Sequence, residues 1–157
     1  MEASQASEMV EDADTNVYVI PSKTIPQGIS SAIMFNPEVD PEENFRSMKA
    51  ALKNVKSGEV TFSIRDTEIG GFKVKKDDFI GIFEKDIVVD DPDKVNALMS
   101  LLEKMIDDDS SIITILVGQD VDEELMNEVA AKISEKYTDL DLDIRAGGQP
   151  VDRKSVV

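Results

Sequence analysis

The amino-acid sequence predicts an α/β fold, with a mixed sheet that combines a parallel βαβ part and an antiparallel hairpin insertion. Residues 91–146 read as helix, strand, helix and strand with short connections, which is typical of parallel βαβ units. Residues 59–89 alternate apolar and polar side chains between tight turns, as antiparallel strands do. At 157 residues the chain is long enough for two small lobes, and the change of pattern divides it into lobes 1–57 and 58–157.

The first lobe opens with helical spacing of apolar residues over residues 2–13. Residues 17–20 predict a short strand that stops at Pro21, and two prolines then fix a loop over residues 21–28. A short apolar helix is expected at residues 29–35.

This lobe has no strand before its first helix, and the strand at 17–20 needs a neighbour. Two interpretations remain open: the strand joins the edge of the same sheet, or an upstream part of a larger polypeptide is missing. We expect lobe 1–57 to be the remnant of an α/β lobe that lacks its first strand.

The next helix has a clear start signal, with Asp40 as N-cap, Pro41 at the first helical position and Glu43 placed for a capping box. Gly58 is placed to end this helix. The residues expected on its buried stripe are Phe45, Met48, Leu52 and Val55.

The antiparallel part begins at Glu59, where apolar residues alternate with polar ones as far as Arg65. Gly70 and Gly71 predict a tight hairpin turn, because glycine tolerates the positive φ that such turns need. A second hairpin is expected to pair residues 79–83 with residues 87–89.

The βαβ part starts at Asp91-Pro92, which by the same cap-and-proline logic opens a helix. Residues 112–117 are almost continuously apolar, which predicts a parallel strand buried on both faces. Asp122 caps a further helix, and residues 140–145 alternate as a last strand with one solvent-facing side. The stripe expected on the first helix is Val95, Leu98, Met99, Leu102, Met105 and Ile106, and that on the second is Leu125, Met126, Val129, Ile133 and Tyr137.

The composition excludes several classes of function. The chain has no Cys and no His, so it holds no disulfide, thiolate nucleophile, zinc–cysteine site or His-based triad. No apolar run approaches the length of a membrane span. The first fourteen residues carry five acids and no base, unlike a signal or transit peptide, so a cytoplasmic location is predicted by elimination.

The negative charge is concentrated in one stretch. Of the net charge of −16, most comes from residues 86–143, which hold seventeen acidic and four basic residues. Nucleic acid and anionic membrane surfaces are unsuitable partners, because their phosphates would be repelled. Two interpretations remain open: a face that keeps the chain soluble, or an acidic surface that steers a basic protein partner.

Motifs for chemistry are few. Neither glycine-rich nucleotide cradle occurs, and Ser22 has no His to activate it. The Asp runs at 90–93 and 107–109 lack EF-hand spacing and suit helix caps and turns better than a metal. We therefore predict no catalytic residues, metal site or cofactor. A basic cluster of Lys73, Lys75, Lys76 and Arg65 has no assigned role.

Four groups of residues together indicate a family. These are the loop at 19–29, the run from Gly58 to Thr67, the segment 75–82 and the segment 147–151. In this order they resemble the C-terminal region of the bacterial fatty acid kinase A family, which is dihydroxyacetone-kinase-like (DAK, DhaL-type). The chain departs at Asp77, where the family usually has Gly, and at residues 152–157, where an aromatic residue and a longer final strand are usual. The family-motif loop residues are Pro21, Ser22, Lys23, Thr24, Pro26, Gln27, Gly28, Arg65, Asp66, Thr67, Gly147, Gly148, Gln149 and Pro150.

The resemblance implies a DegV-like fold and a role in docking. In this family the kinase domain and a central domain with catalytic Cys and His precede the C-terminal region, which holds a DegV-type fatty-acid-binding protein. We therefore expect a non-catalytic docking domain that works with a kinase domain of the same or another chain. The expected docking acids cluster at one helix N-terminus beyond a strand: Asp120, Asp122, Glu123, Glu124 and Glu128.

Two alternatives remain. One is an α/β domain that binds an acyl or phosphate group in a crevice between the loops 22–28 and 147–150. The other is an inert truncated fragment whose charge keeps it soluble.

Overall fold

The computed structural model describes residues 15–69, 71–119 and 121–147. The expected helix at 2–13 and the departing segment 152–157 lie outside these residues. The chain divides into two compact units, residues 1–57 and 58–157. That the first unit is the remnant of a larger lobe stays a prediction. Among the described helices, none combines the length and apolar composition that a membrane crossing requires.

The first unit contains helices α1 (Ile25–Ile33) and α2 (Pro41–Ala51). The predicted strand at 17–20 is wrong: these residues are irregular, and the described part of the unit offers no strand to pair with them. The ring of Tyr18 instead packs 5.5 Å from the ring of Phe45, centroid to centroid.

Helix α1 begins four residues before the predicted start, because Thr24 caps it and Pro26 suits its first turn. Half of the predicted loop at 21–28 is therefore helical, and the helix ends at Ile33, two residues before the expected end.

Helix α2 confirms Asp40 as its N-cap, since the Asp40 carboxylate accepts a hydrogen bond from the Glu42 amide at 2.9 Å. Its predicted end was wrong. The helix stops at Ala51, a 3₁₀ turn follows at Leu52–Asn54, and Gly58 opens a strand. The four predicted stripe residues are half-buried, whereas the fully buried residues of α2 are Asn44 and Ala51.

Asn44 holds the connection between α1 and α2. Its side-chain amide donates to the carbonyl oxygens of Asn36 at 2.7 Å and Val39 at 3.1 Å. Its side-chain oxygen accepts from the Asn36 amide at 2.9 Å. A buried amide is tolerated here because both ends of it are hydrogen-bonded.

The second unit begins with the predicted antiparallel strands. They are β1 (Gly58–Phe62), β2 (Thr67–Ile69), β3 (Phe72–Val74), β4 (Phe79–Phe83) and β5 (Asp86–Asp91). Strands β1, β4 and β5 form one sheet in the order β1-β4-β5, while β2 and β3 pair with each other. Both predicted hairpins are confirmed, although β1 ends at Phe62 and leaves Ile64 exposed.

The parallel part follows as α3 (Lys94–Met105), β6 (Ile112–Val117), α4 (Glu123–Lys136) and β7 (Asp141–Ala146). Strands β6 and β7 pair in parallel, which confirms the α/β class. They form a sheet of their own among the described strands, so the parallel and antiparallel strands do not share one mixed sheet.

The start of α3 differs from the prediction. Asp93 is the N-cap and accepts from the Asn96 amide at 2.8 Å, while Asp91 accepts from the Asp93 amide at 2.8 Å. Pro92 therefore lies before the helix, in the bend that Asp91 closes.

Helix α3 buries two faces, whereas the sequence pattern predicted one stripe. Val95 and Leu102 join a core with residues of β6 and α4, while Ala97 and Leu101 pack against the antiparallel sheet. The approach of α3 to that sheet depends on Gly81, where a Cβ atom would lie 3.3 Å from the Leu101 Cβ.

Strand β6 is buried on one face only, so the predicted burial of both faces was wrong. Ile113 is 6% exposed and packs in the core, but Ile112 is 62% exposed. Helices α3 and α4 cover the face that Ile113 and Ile115 share.

Candidate functional site

The expected docking acids lie at the start of α4. The Asp122 carboxylate accepts from the Leu125 amide at 2.8 Å and so caps the helix, which confirms this prediction. Glu123 and Glu124 follow in the first turn, both exposed. The positive end of the helix dipole stabilises negative charge at these positions.

Glu128 lies one turn further along α4 and is paired. Its carboxylate lies 2.9 Å from the Lys132 ammonium, and this hydrogen bond raises the pKa of Lys132. Asp120 lies outside the described residues. Glu123 and Glu124 are therefore the two docking acids that neither cap a helix nor pair with a cation among the described residues.

The bases of the acidic stretch are largely engaged locally. Lys136 of α4 forms an ion pair with Glu103 of α3, and this hydrogen bond lowers the pKa of the Glu103 carboxyl and raises that of Lys136. The ammonium of Lys94 lies 5.5 Å from the centre of the Phe79 ring. Lys132 pairs with Glu128, so three of the four bases have local partners.

A second group of acids lies before β6. Asp108 and Asp109 are exposed in the turn that leads into the strand, and Asp107 accepts from the Ser110 hydroxyl at 2.9 Å. Because Asp122, Glu123 and Glu124 follow the other end of β6, acidic side chains flank this strand in sequence on both sides.

The loop at 21–28 forms the capped start of α1. The Thr24 hydroxyl accepts from the Gln27 amide at 3.3 Å and lies 2.8 Å from the Ser57 hydroxyl. The Gln27 side-chain oxygen accepts in return from the Lys23 amide at 2.9 Å. These contacts form a variant of the capping box and tie the start of α1 to the end of the unit.

An open depression of about 510 Å³ lies beside this cap. It is lined by Ser22, Lys23, Thr24, Ile25, Gly28 and Ile29. The Gln27 and Gly28 amides already donate to Thr24, so two donors of the first turn are not available to an anion.

Arg65, Asp66 and Thr67 lie in the unit 58–157, where they connect β1 to the β2–β3 hairpin. The Asp66 carboxylate accepts from the Lys76 amide at 2.8 Å, and the Arg65 carbonyl accepts from the Ser63 hydroxyl at 2.7 Å. Thr67 opens β2 opposite Val74. These contacts close the connection from β1 to the β2–β3 hairpin.

The last motif loop is only partly described. The Gly147 amide donates to the Val117 carbonyl at 2.8 Å, and a Cβ atom at Gly147 would lie 3.3 Å from that oxygen. Gly148, Gln149 and Pro150 lie outside the described residues. A crevice shared by this loop and the loop at 22–28 stays a prediction.

One unusual carboxylate was missed because the sequence grouped Asp90 with the capping acids. Asp90 lies inside β5, opposite Ile80. One of its carboxylate oxygens is buried without a hydrogen-bond partner among the described residues. Burial first, and then the charge of Asp78, raises the pKa of Asp90, while Lys75 opposes the shift. The sequence signal that could have revealed this carboxylate is the position of an Asp within an otherwise apolar strand.

Comparisons with known proteins agree on one family. The family of FakA-like fatty acid kinase C-terminal domains matches residues 1–155. The chain is 43% identical to Protein YloV of Bacillus subtilis strain 168, and the match covers 96% of this chain and 27% of that protein. It is 40% identical to an uncharacterized protein of Staphylococcus epidermidis strain ATCC 12228, with the same coverage.

A third relative, from Staphylococcus aureus strain MRSA252, is 38% identical, again over 96% of this chain and 27% of the relative. The chain thus spans about a quarter of the length of the curated relatives it matches. The resemblance seen in the motif residues is confirmed, and the chain belongs to the family of FakA-like fatty acid kinase C-terminal domains.

Proposed function

We propose that this domain docks a DegV-type fatty-acid-binding protein through its acidic surface and performs no catalysis itself. A separate kinase domain then phosphorylates the fatty acid that the partner holds. The observation that carries the proposal is the pair Glu123 and Glu124, exposed at the start of α4 and without a cation partner among the described residues.

Charge explains how such a surface works. The field of a chain with net charge −16 attracts a basic face from beyond contact distance and orients it during approach. Opposed fields of this kind mainly raise the association rate and set the orientation of the complex. The cytoplasmic location remains a prediction.

The acyl- or phosphate-binding alternative draws on the depression beside α1. Support for a bound phosphate is weak, because the Gln27 and Gly28 amides at the start of α1 are already bonded to Thr24. The inert-fragment alternative predicts no cooperative thermal unfolding, whereas a docking domain must fold on its own.

The direct test is a titration of the domain with a purified DegV-type fatty-acid-binding protein at low salt. We expect the double variant Glu123→Gln/Glu124→Gln to bind roughly tenfold more weakly, a loss of about 1.4 kcal/mol. The matched control is Glu42→Gln/Glu43→Gln, which removes two acids from the first turn of α2.

The control variant distinguishes the effect of where the two negative charges are removed from the effect of the change in net charge. We expect it to bind like the unaltered domain. Equal losses in both variants would show that only net charge matters, and absence of binding by the unaltered domain would overturn the docking function.

A further inference from the structure

The two outer edges of the β6–β7 sheet differ in how well they are protected. Strand β7 carries Asp141, Asp143 and Arg145, and the last two form an ion pair of 2.7 Å. Charged side chains of this kind discourage the addition of another strand. Strand β6 has the sequence Ile-Ile-Thr-Ile-Leu-Val, with no charge, proline or bulge.

The backbone groups at the outer edge of β6 have no strand partner among the described residues. The Asp141 amide donates to the Ser111 carbonyl at 3.0 Å, and the Gly147 amide donates to the Val117 carbonyl at 2.8 Å. Odd-numbered positions therefore face β7, and the N–H and C=O groups of Ile112, Thr114 and Leu116 point to the opposite edge. Among the described strands, none pairs with that edge.

The face of β6 opposite α3 and α4 is also apolar. Ile112 is 62% exposed and Leu116 is half-buried, and both lie on the face opposite the core residue Ile113. A strand added at the edge would offer these side chains apolar neighbours in addition to backbone hydrogen bonds.

The charges around β6 indicate what kind of strand fits. Residues 110–119 contain no charged side chain, while Asp108 and Asp109 precede them and Asp122, Glu123 and Glu124 follow. A second copy of β6 would bring acids against acids at both ends in either orientation, so self-pairing is disfavoured.

We propose that the outer edge of β6 binds an extended segment of a partner protein, apolar in its middle and carrying Lys or Arg at both ends, as an added strand. Backbone hydrogen bonds at Ile112, Thr114 and Leu116 supply affinity, and the flanking acids fix the register. The inference deepens the proposed function and rests on it for the basic character of the partner.

A synthetic peptide tests the edge by itself. The probe is a fluorescent peptide of about ten residues with two basic residues at each end and alternating valine and threonine between them. Two further peptides carry N-methyl groups on either the even or the odd middle residues. Only one set of amides faces β6, so one methylated peptide is expected to bind at least about tenfold more weakly and the other like the parent.

If the peptide were held by charge attraction alone, N-methylation of its backbone would not change its binding. If both methylated peptides bind like the parent, or if the parent does not bind, the added strand is wrong. A peptide with glutamates in place of the basic residues is expected not to bind.

The matched variants of the domain are Thr114→Pro and Ala146→Pro. Even-numbered residues of both strands direct their backbone groups to the outer edges. Thr114→Pro therefore removes one outward-facing amide from β6, and Ala146→Pro removes one from β7. Proline is tolerated at such edge positions. We expect Thr114→Pro to weaken peptide binding at least about tenfold and Ala146→Pro to leave it unchanged. Equal binding by both variants contradicts the proposal.

Hydrogen exchange on the unaltered domain gives the same information if Thr114→Pro does not fold. The peptide is expected to slow exchange at the Thr114 and Leu116 amides but not at Leu142 and Ile144, which face outward on β7. The proposal is overturned if the peptide slows exchange at neither the Thr114 amide nor the Leu116 amide.

The two proposals fail in different ways. If the DegV-type protein binds the unaltered domain and Thr114→Pro equally, while the Glu123/Glu124 variant loses binding, docking stands and the added strand is wrong. If that protein does not bind the unaltered domain, docking fails, and the peptide measurements alone decide the edge.

Discussion

The amide of Asp77 donates to the carbonyl oxygen of Ser63 at 2.7 Å, while the Ser63 amide donates to the Asp78 carbonyl at 2.9 Å. These two hydrogen bonds hold the end of β1 beside the start of β4. Asp77 reaches its partner with φ of +71°, in the left-handed region that favours glycine. Glycine adopts this conformation without strain, so the Asp at position 77 has a structural cost.

Replacing Asp77 by Gly is therefore expected to stabilise the domain. Relief of the left-handed conformation outweighs the added freedom of the unfolded chain, and we expect a gain of about 0.5–1 kcal/mol in the free energy of unfolding by urea. Asp108→Gly is the control, because Asp108 does not have positive φ and glycine there only adds unfolded entropy. A loss of stability in Asp77→Gly equal to that of the control would contradict the strain at this position.

Asn44 gives the second prediction. Asn44→Ala leaves the Asn36 amide and two carbonyls without their partner, so we expect a loss of about 2 kcal/mol in the free energy of unfolding. The exposed Asn54→Ala is the control, with an expected change within about 0.5 kcal/mol. Comparable losses in the two variants would mean that Asn44 does not hold the α1–α2 connection.

Asp90 gives a prediction on pH. Its pKa is raised in the folded state by burial and by Asp78, so its ionisation destabilises the fold as pH rises from below the ordinary value of 3.8 through the raised value. Asp90→Asn removes this cost, and we expect it to be more stable than the unaltered domain at pH 7.

The pH dependence provides the check. The difference between Asp90→Asn and the unaltered domain, measured by urea unfolding, is expected to shrink as pH falls below 3.8. A difference that stays constant from pH 3 to pH 7 would show that the ionisation of Asp90 is not the cause.

The sequence predicted best those features that depend on neighbouring residues alone. Asp40 and Asp122 cap their helices as expected, and Gly71, with φ of +86°, lies in the turn between β2 and β3. Such caps and turns are fixed by local hydrogen bonds and φ values.

The sequence-based predictions were wrong where secondary structure or burial depends on residues that are distant in the chain. The residues at 17–20 have strand-forming side chains but no described strand beside them. The helix α3 buries Ala97 and Leu101 on a second face because a second sheet packs there, which periodicity alone does not reveal.

The candidate site was predicted in the same uneven way. The exposed pair Glu123 and Glu124 followed from the cap at Asp122, but the pairing of Glu128 with Lys132 depends on side-chain geometry. The outer edge of β6, which no described strand covers, was not expected, because the apolar sequence of β6 predicted a buried strand.

The rate at which the domain associates with a DegV-type fatty-acid-binding protein tests the docking account most directly. Measured by stopped flow from about 20 mM to about 200 mM salt, the association rate constant is expected to fall at least about tenfold, with little change in dissociation. The Glu123→Gln/Glu124→Gln variant is expected to show a shallower dependence on salt. An association rate constant that does not change with salt would contradict the acidic surface as the docking site.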